Sequence, residues 1–279
     1  MSVNVLTKTL PSGAKIPAIG LGVYESQPGD ETYNAVLSAL KLGYRHIDTA
    51  EYYNNEADVG RAVKDSGIPR DQIFVTSKLF ITNWGYQNAL DAANTSNEKL
   101  ALGYIDLYLL HAPGEPTTRA ESWRALEDLQ HQGVLTDIGV SNFGVAHLEK
   151  LLQTAKTKPR STRLSYKLHP WLMRPDLVNF CQDNGILFEA YSPLARANKM
   201  TNPTLLEIAG EVGASAAQVL VAFSLANEFI TLPKSVHEER QKANLEGANI
   251  KLTPAQIATL AAMDEYLVTA WDPTKDHAA

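Results

Sequence analysis

Arg45-His46-Ile47-Asp48 (residues 45–48) is the first of three short apolar runs in this chain that each end on an ionisable side chain. The other two are residues 73–78, which end on Lys78, and residues 105–111, which end on His111. Helical patterns separate the runs, and a repeated strand–helix–strand order predicts parallel strands whose C-terminal ends share one edge. A charge buried at a strand end is costly unless it is paired or used. The pattern therefore predicts a functional site that contains Asp48, Lys78 and His111.

The same alternation continues along the rest of the chain. It predicts strands at residues 19–23, 45–48, 73–77, 105–110, 134–140, 162–168, 186–190 and 229–232, and helices such as 30–42, 86–101, 118–131 and 145–155. Eight β/α units without a linker predict an α/β fold, a closed (β/α)8 TIM barrel that forms a single domain over residues 1–279. Residues 10–17 predict an N-terminal β-hairpin, and the tail from about residue 264 is predicted to lie over the barrel mouth. An open doubly wound sheet is disfavoured, because Gly20 and Gly22 lack the third glycine of a dinucleotide-binding loop.

Composition limits the location and the partners. The 279 residues carry a net charge of −6 with no basic block, which argues against a nucleic-acid partner or an anionic membrane surface. Cys181 is the single cysteine, so an intramolecular disulfide is excluded and a cysteine-based zinc site is disfavoured. No apolar run reaches the roughly 18 residues that a membrane span needs. We therefore expect a cytoplasmic protein with no membrane partner.

The predicted edge also has a candidate proton donor. Tyr53 follows Asp48 by five positions, so the loop after that strand can return its phenol to the edge. A nearby Lys78 ammonium favours the phenolate and is expected to lower the pKa of Tyr53, while Asp48 holds the ammonium and His111 orients a carbonyl oxygen. This set suits reduction of a carbonyl by hydride from a cofactor. Each residue alone also has a purely structural interpretation. Asp48 and Lys78 could form a structural ion pair, His111 could be a buried histidine with its hydrogen bonds satisfied, and Tyr53 could be a packing residue like its neighbour Tyr52.

Longer motifs around these residues resemble one family. They are GYRHIDTA (43–50), YNNE (53–56), VTSKL (75–79), DLYLLH (106–111), IGVSNF (138–143), AYSPL (190–194) and LPKSV (232–236). Together, over residues 6 to 273, they resemble the aldo-keto reductases, and LVTAWDP (267–273) looks most like fungal members. The resemblance implies NADPH-dependent reduction of aldehydes or ketones to alcohols, with a small-molecule carbonyl substrate and a monomer or weak dimer.

The resemblance also assigns roles by position. It makes Tyr53 the proton donor, Asp48 and Lys78 the pair that tunes it, and His111 the residue that orients the carbonyl. The implied cofactor-binding residues are Gly22, Ser141, Asn142, Ser165, Tyr191, Ser192, Leu194, Lys234, Ser235, Arg240 and Asn244. The implied substrate pocket contains Tyr24, Phe80, Trp84 and Ala112. No metal ligand is implied.

The expected phosphate clamp also follows from charge. Lys234, Ser235 and Arg240 place two cations and a hydroxyl near a predicted helix start, which suits the 2′-phosphate of NADP better than NAD. The alternative is that residues 235–238 form only a capping box.

Two parts of the chain depart from the family pattern. Ser165 stands where a glutamine is usual and Lys167 where a glutamate is usual, which adds a cation near the expected cofactor. Neutral drift, altered nicotinamide positioning, an unusual substrate and engineering all remain open as reasons. Tyr24 and Ala112 stand where tryptophans are common, so the pocket is expected to accept bulky or aryl carbonyls.

Two other functions compete with the reductase. The first is a barrel that binds NADPH as a sensor or regulatory subunit with little turnover, which the altered 164–167 segment keeps open. The second is a metal-dependent hydrolase, which is disfavoured because His46 and His111 lie on different strands without a His-x-His pair.

Overall fold

The computed structural model of the chain describes residues 6–10, 12–156, 163–269 and 271–276, with the main chain alone at 163–166 and 275. Its strands are β1 Thr7–Thr9, β2 Lys15–Pro17, β3 Leu21–Gly22, β4 His46–Asp48, β5 Phe74–Leu79, β6 Ile105–Leu110, β7 Leu135–Ser141, β8 Arg163–Lys167, β9 Leu187–Tyr191 and β10 Ile230–Leu232. Its helices are α1 Asp30–Leu42, α2 Glu56–Asp65, α3 Tyr86–Leu100, α4 Pro116–His131, α5 Val145–Thr154, α6 Pro175–Asp183, α7 Pro203–Glu211, α8 Ala216–Ala226, α9 Glu238–Glu246 and α10 Pro254–Ala261.

The strands from β3 to β10 form one parallel sheet that closes on itself. Each strand pairs with the next in chain order, and bridges from Ile19 to Thr231 and from Gly22 to Lys234 join the two ends. The predicted (β/α)8 barrel is therefore confirmed. The first strand, predicted at 19–23, is shorter in the structure, and residue 162 of the sixth predicted strand (162–168) lies outside the described residues.

The hairpin closes the N-terminal end of the barrel. Strands β1 and β2 pair in antiparallel fashion, and the Gly13 N–H donates to Leu10 O at 2.9 Å, so the predicted hairpin is confirmed; Pro11 lies outside the described residues. Leu10 and Ile16 pack there against inward-facing side chains of the barrel: Phe74, Leu107, Leu109 and Ile230. The ionisable side chains that end β4, β5 and β6 lie at the opposite rim of the barrel.

Local sequence explains where the helices begin and end. Helix α1 stops at Gly43, whose left-handed φ of 112° lets its N–H reach back to the carbonyls of Ala39 and Leu40. Helix α4 begins at Pro116, two residues before the predicted start, because proline fits the first helical turn.

The C-terminal tail crosses the rim at the ends of β7 and β8, as predicted. The N–H of Leu267 donates to Trp171 O at 2.8 Å, Arg174 Nη2 contacts Asp272 Oδ2 at 2.5 Å, and His147 Nε2 lies 2.6 Å from Asp276 O. These contacts fix the tail over one side of the barrel mouth.

Within the described ranges, no single helix has the length and apolar character to cross a membrane. Helices α7 and α8 meet that test only as a pair, and they are bent by 85° relative to each other.

Gly60→Ala tests the packing of α2 against α3. A Cβ at Gly60 would lie 1.9 Å from Leu100 O, a main-chain atom that cannot move alone. We expect the free energy of unfolding, measured in urea, to fall by about 3 kcal/mol. Gly210→Ala on α7 is the matched control, since nothing lies within 4 Å of its Cβ position. An equal loss in both variants would contradict this packing.

Candidate active site

The centre of the rim is an ion pair between adjacent strands. Lys78 Nζ lies 2.7 Å from Asp48 Oδ1 and donates to Thr49 O at 2.8 Å. Both side chains are buried, at 3% and 5% exposure of the residue. Because β4 and β5 are parallel neighbours, their inward-facing ends place the amine beside the carboxylate.

Tyr53 reaches this pair from the 3-10 turn Glu51–Tyr53, which follows β4. Its ring centroid lies 5.1 Å from Lys78 Nζ, 5.6 Å from the His111 ring and 5.0 Å from the Tyr24 ring. Asn54 ends the turn in the left-handed region, at φ 56°. The four residues predicted to form the site, Asp48, Tyr53, Lys78 and His111, therefore meet at one point of the rim.

The expected lowering of the Tyr53 pKa is wrong for this structure. Burial, followed by the charge of Asp48 and the neighbouring Tyr191 and Tyr24, raises the pKa of Tyr53 well above 10. Lys78 does not reverse this effect, because its ammonium is paired with Asp48 and lies over the ring face. Tyr53 therefore keeps its proton at neutral pH, which a general acid requires.

His111 stands at the end of β6 and is held by the main chain around it. The main-chain N–H of His111 donates to Leu79 O at 3.0 Å, and its main-chain carbonyl accepts from Asn142 Nδ2 at 2.9 Å. Burial and then the positive charge of Lys78 lower the pKa of His111 well below 6.5. Among the described residues no partner contacts its buried Nδ1. The ring is neutral near pH 7 and can donate one hydrogen bond.

The ring nitrogens of His111 give a direct test of this protonation state. Because the folded pKa lies below 6.5, we expect the ¹⁵N shifts of His111 to stay those of a neutral imidazole from pH 8 down to pH 6. The same linkage makes His111 oppose folding only as the pH falls below 6.5, where the unfolded chain binds the proton first. His111→Asn assigns the signal, and a titration step near pH 6.5 would contradict this environment.

Aromatic side chains form one wall beside the site. Tyr52 stacks on Phe80 with ring centroids 4.3 Å apart, and its ring lies 6.5 Å from His111. Tyr24 and Tyr52 are the exposed members, at 45% and 52%. From the sequence, Tyr52 was interpreted only as a packing residue, although its place directly before Tyr53 was the available signal.

Two predicted pocket residues lie deeper than expected. Trp84 is 6% exposed, and its ring packs on Gly114, where a Cβ would lie 2.6 Å away. Ala112 is 1% exposed. Among the pocket residues named from sequence, Tyr24 and Phe80 join the aromatic wall, while Trp84 and Ala112 are buried.

Ser141, Asn142 and Tyr191 form a second polar group at the ends of β7 and β9. Tyr191 hydroxyl donates to Asn142 Oδ1, and Asn142 Nδ2 lies 3.1 Å from Ser141 Oγ. Asn142 has a left-handed φ of 64°, which turns its amide back towards His111 O. Ser165 pairs with Ser141 in the main-chain register, but its side chain lies outside the described part of the structure.

The third group surrounds the end of β10. Lys234 and Arg240 are exposed, while Ser235 and Asn244 are 7% and 3% exposed. The Gly22 N–H donates to Pro233 O at 3.3 Å, which joins this segment to β3. The alternative of a capping box at 235–238 does not hold, because Ser235 Oγ accepts from His237 N at 3.1 Å and His237, not Ser235, is the N-cap of α9.

The donor set fits a nicotinamide dinucleotide cofactor. The hydroxyl of Ser141 and the amide of Asn142 can hold a carboxamide, and the half-buried ring of Tyr191 can stack on a flat ring. The two exposed cations beside the N-terminus of α9 can hold a phosphate. Ser192 (φ 51°) and Leu194 lie on the loop after β9, between Tyr191 and Lys234 in the sequence. Across the described ranges, no group of three or more His, Cys, Asp or Glu side chains could hold a metal ion.

Comparison with known proteins gives one consistent answer. Residues 18–265 match the model of the aldo/keto reductase family. The chain is 39% identical over 259 residues to a glyoxal reductase of Bacillus subtilis, covering 93% of each chain. It is 37% identical over 265 residues to a glycerol 2-dehydrogenase (NADP(+)) of Saccharomyces cerevisiae, covering 85% of this chain and 84% of the relative.

A solved structure agrees with these sequence matches. MGS-M4, an aldo-keto reductase from a Medee basin deep-sea metagenome library, superposes with a TM-score of 0.92 at 36% identity, covering 97% of this chain and 99% of that one. The particular likeness to fungal members stays a prediction. The chain belongs to the aldo/keto reductase family, whose members are oxidoreductases that act on small-molecule carbonyls and generally use a nicotinamide cofactor.

Proposed function

We propose that this protein reduces aldehydes or ketones to alcohols with NADPH, and that Tyr53 is its general acid. The observation that carries the proposal is the convergence of Tyr53, His111 and the buried Lys78–Asp48 pair at one point of the rim. The likeness to two oxidoreductases of known reaction type supports the same chemistry.

Each residue has a distinct task in the proposed reaction. NADPH, when bound, would supply the hydride for the carbonyl carbon. His111, neutral at its low pKa, donates a hydrogen bond that orients the carbonyl oxygen. Tyr53 transfers its hydroxyl proton to that oxygen as negative charge develops, which completes the alcohol. Lys78 stabilises the resulting phenolate, and Asp48 fixes the lysine.

The cofactor residues divide into three groups. Ser141, Asn142 and Ser165 would hold the carboxamide, and Tyr191 would stack on the nicotinamide ring. Gly22, Ser192 and Leu194 would line the path between the two ends of the cofactor. Lys234, Ser235, Arg240 and Asn244 would hold the adenosine end. The two exposed cations of the last group support NADPH as the preferred form.

Arg240→Gln tests that preference. Loss of one charge-assisted contact to the 2′-phosphate is expected to raise the Kd for NADPH by about 10- to 100-fold, with little change for NADH. Fluorescence titration measures both constants. Lys242→Gln, an exposed lysine on the same helix, is the matched control. Equal weakening of NADPH and NADH in Arg240→Gln would contradict the assignment.

The shape of the wall supports substrates with a flat apolar group. Tyr24, Tyr52 and Phe80 present aromatic faces next to His111. Aromatic pairs stabilise contacts beyond simple burial, so aryl aldehydes and aryl ketones should bind better than small aliphatic ones. Ala112 is buried, and the wider substrate pocket expected from its small side chain is part of this proposal.

The deciding experiment combines binding with turnover. NADPH binding is followed by fluorescence quenching, and NADPH oxidation is then measured with aryl aldehydes, aryl ketones and glyoxal. Binding with turnover supports the reductase. Binding without turnover on any carbonyl would favour the sensor or regulatory barrel, and absence of binding would contradict both.

Three further properties are part of the same proposal. We propose a single domain over residues 1–279, since no linker divides the sequence, and a monomer or weak dimer, which the family resemblance implies. The net charge of −6 and the single cysteine support a cytoplasmic location. Nucleic acid and membrane are not expected partners.

A further inference from the structure

Lys167 is a buried cation that the proposed reaction does not use. It ends β8, lies opposite Tyr191 in the parallel register, and is 6% exposed. A lysine so buried needs partners that replace its water shell. Its partners lie on two different parts of the molecule.

One partner is the C-terminal tail. Lys167 Nζ donates to Trp271 O, and the next residue, Asp272, contacts Arg174 at 2.5 Å. Asp272 also accepts from Thr274 N and Oγ1, so the tail is folded tightly at the point where Lys167 holds it.

The other partner is Tyr191, the ring proposed to stack on the nicotinamide. Lys167 Nζ lies 5.8 Å from the centroid of that ring. Tyr191 donates to Asn142 Oδ1, and Asn142 donates to His111 O at 2.9 Å. A continuous series of contacts therefore runs from the tail through Lys167 to the main chain of His111.

We propose that Lys167 is a positioning residue that couples docking of the C-terminal tail to the orientation of Tyr191 and thus to cofactor binding. The cofactor part of this inference rests on the proposed function, whereas the tail part does not.

The charges around Lys167 make the coupling depend on pH. Burial lowers the pKa of Lys167 to about 8; Asp272 on the tail opposes the shift, while Arg196 after β9 and Arg174 after β8 add to it. An undocked tail would return Lys167 to water and to an ordinary lysine pKa near 10.4. The docked state then binds the proton more weakly, so docking strengthens as the pH rises above 8.

Pulsed hydrogen exchange of residues 264–276 measures docking directly, with rates corrected for the intrinsic exchange at each pH. Between pH 7.5 and 9.5 we expect the opening constant of the tail to fall by about 20-fold in the wild type. Lys167→Arg and Lys167→Met, which do not titrate in this range, should show no such fall. A wild-type opening constant that stays flat would overturn the pH dependence.

The cofactor part is tested by NADPH titration at pH 7.5. We expect Lys167→Met and Asp272→Asn each to raise the Kd by several-fold, the double variant to add little more, and Lys167→Arg to restore binding. Lys199→Met is the control, because Lys199 holds the tail through Glu265 at 2.6 Å and has no contact with Tyr191 among the described residues. Additive effects, or an equal effect of Lys199→Met, would overturn the coupling. If the wild-type protein did not bind NADPH, the proposed function would be contradicted, and the hydrogen-exchange experiment would still test whether Lys167 controls docking of the tail.

Discussion

Tyr53→Phe is expected to lower kcat for carbonyl reduction by about 100- to 10,000-fold, the range that a positioned general acid supplies. The substitution removes the hydroxyl that bears the transferable proton and keeps the ring that packs near Tyr24 and His111. NADPH binding and the unfolding midpoint should therefore change little. Stopped-flow measurement of NADPH oxidation with an aryl aldehyde gives the rate, and fluorescence quenching gives the binding constant.

Tyr52→Phe is the control for that experiment. It removes an identical hydroxyl from the adjacent residue, whose ring stacks on Phe80 and faces solvent. We expect Tyr52→Phe to keep kcat within a few-fold of the wild type. If Tyr53→Phe turned over as fast as Tyr52→Phe, another residue or water would have to supply the proton.

Lys78→Met is expected to damage both stability and activity. It leaves the Asp48 carboxylate buried without its cation, and removal of one partner of a buried pair costs about 3–5 kcal/mol. It also removes the charge that stabilises the Tyr53 phenolate, so we expect kcat to fall at least about 100-fold. Urea unfolding and NADPH oxidation measure the two effects separately.

The double variant Lys78→Met with Asp48→Asn separates charge burial from chemistry. With both charges gone, the free energy of unfolding should recover in part, because no unpaired carboxylate remains. The rate should not recover, since the phenolate still has no cation beside it. Recovery of the rate together with stability would show that the pair has a structural role only.

The barrel was predictable because its signals are local and repeated. Three apolar runs end on Asp48, Lys78 and His111, and segments with helical spacing separate them. This pattern alone predicts the order of the strands and the rim that they share. Helix ends were predictable to within a residue or two where Gly43 or Pro116 marks them.

The electrostatics of the site could not be predicted from sequence. The pairing of Lys78 with Asp48 was expected, but the effect of burial on the Tyr53 phenol was not. Burial is the larger influence and raises the pKa of Tyr53. Which aromatic residues face the pocket was equally hidden. The depth of Trp84 depends on its contact with Gly114, and the exposure of Tyr52 depends on the turn that precedes α2.

Lys167 illustrates the same limit. The sequence showed a cation where a carboxylate is usual, but its meaning depends on a contact with Trp271, more than a hundred positions further along the chain. Long-range contacts of this kind set the role of a buried charge, and no local pattern encodes them.

Carbonyl reduction by this protein is tested most sharply by deuterium transfer to an aryl aldehyde from NADPH labelled at C4 of the nicotinamide, measured by mass spectrometry and NMR of the product. We expect an alcohol with one deuterium on the carbinol carbon, formed by the wild type and Tyr52→Phe and suppressed in Tyr53→Phe. An enzyme that binds the labelled cofactor and yields no deuterated alcohol from any carbonyl tested would contradict it.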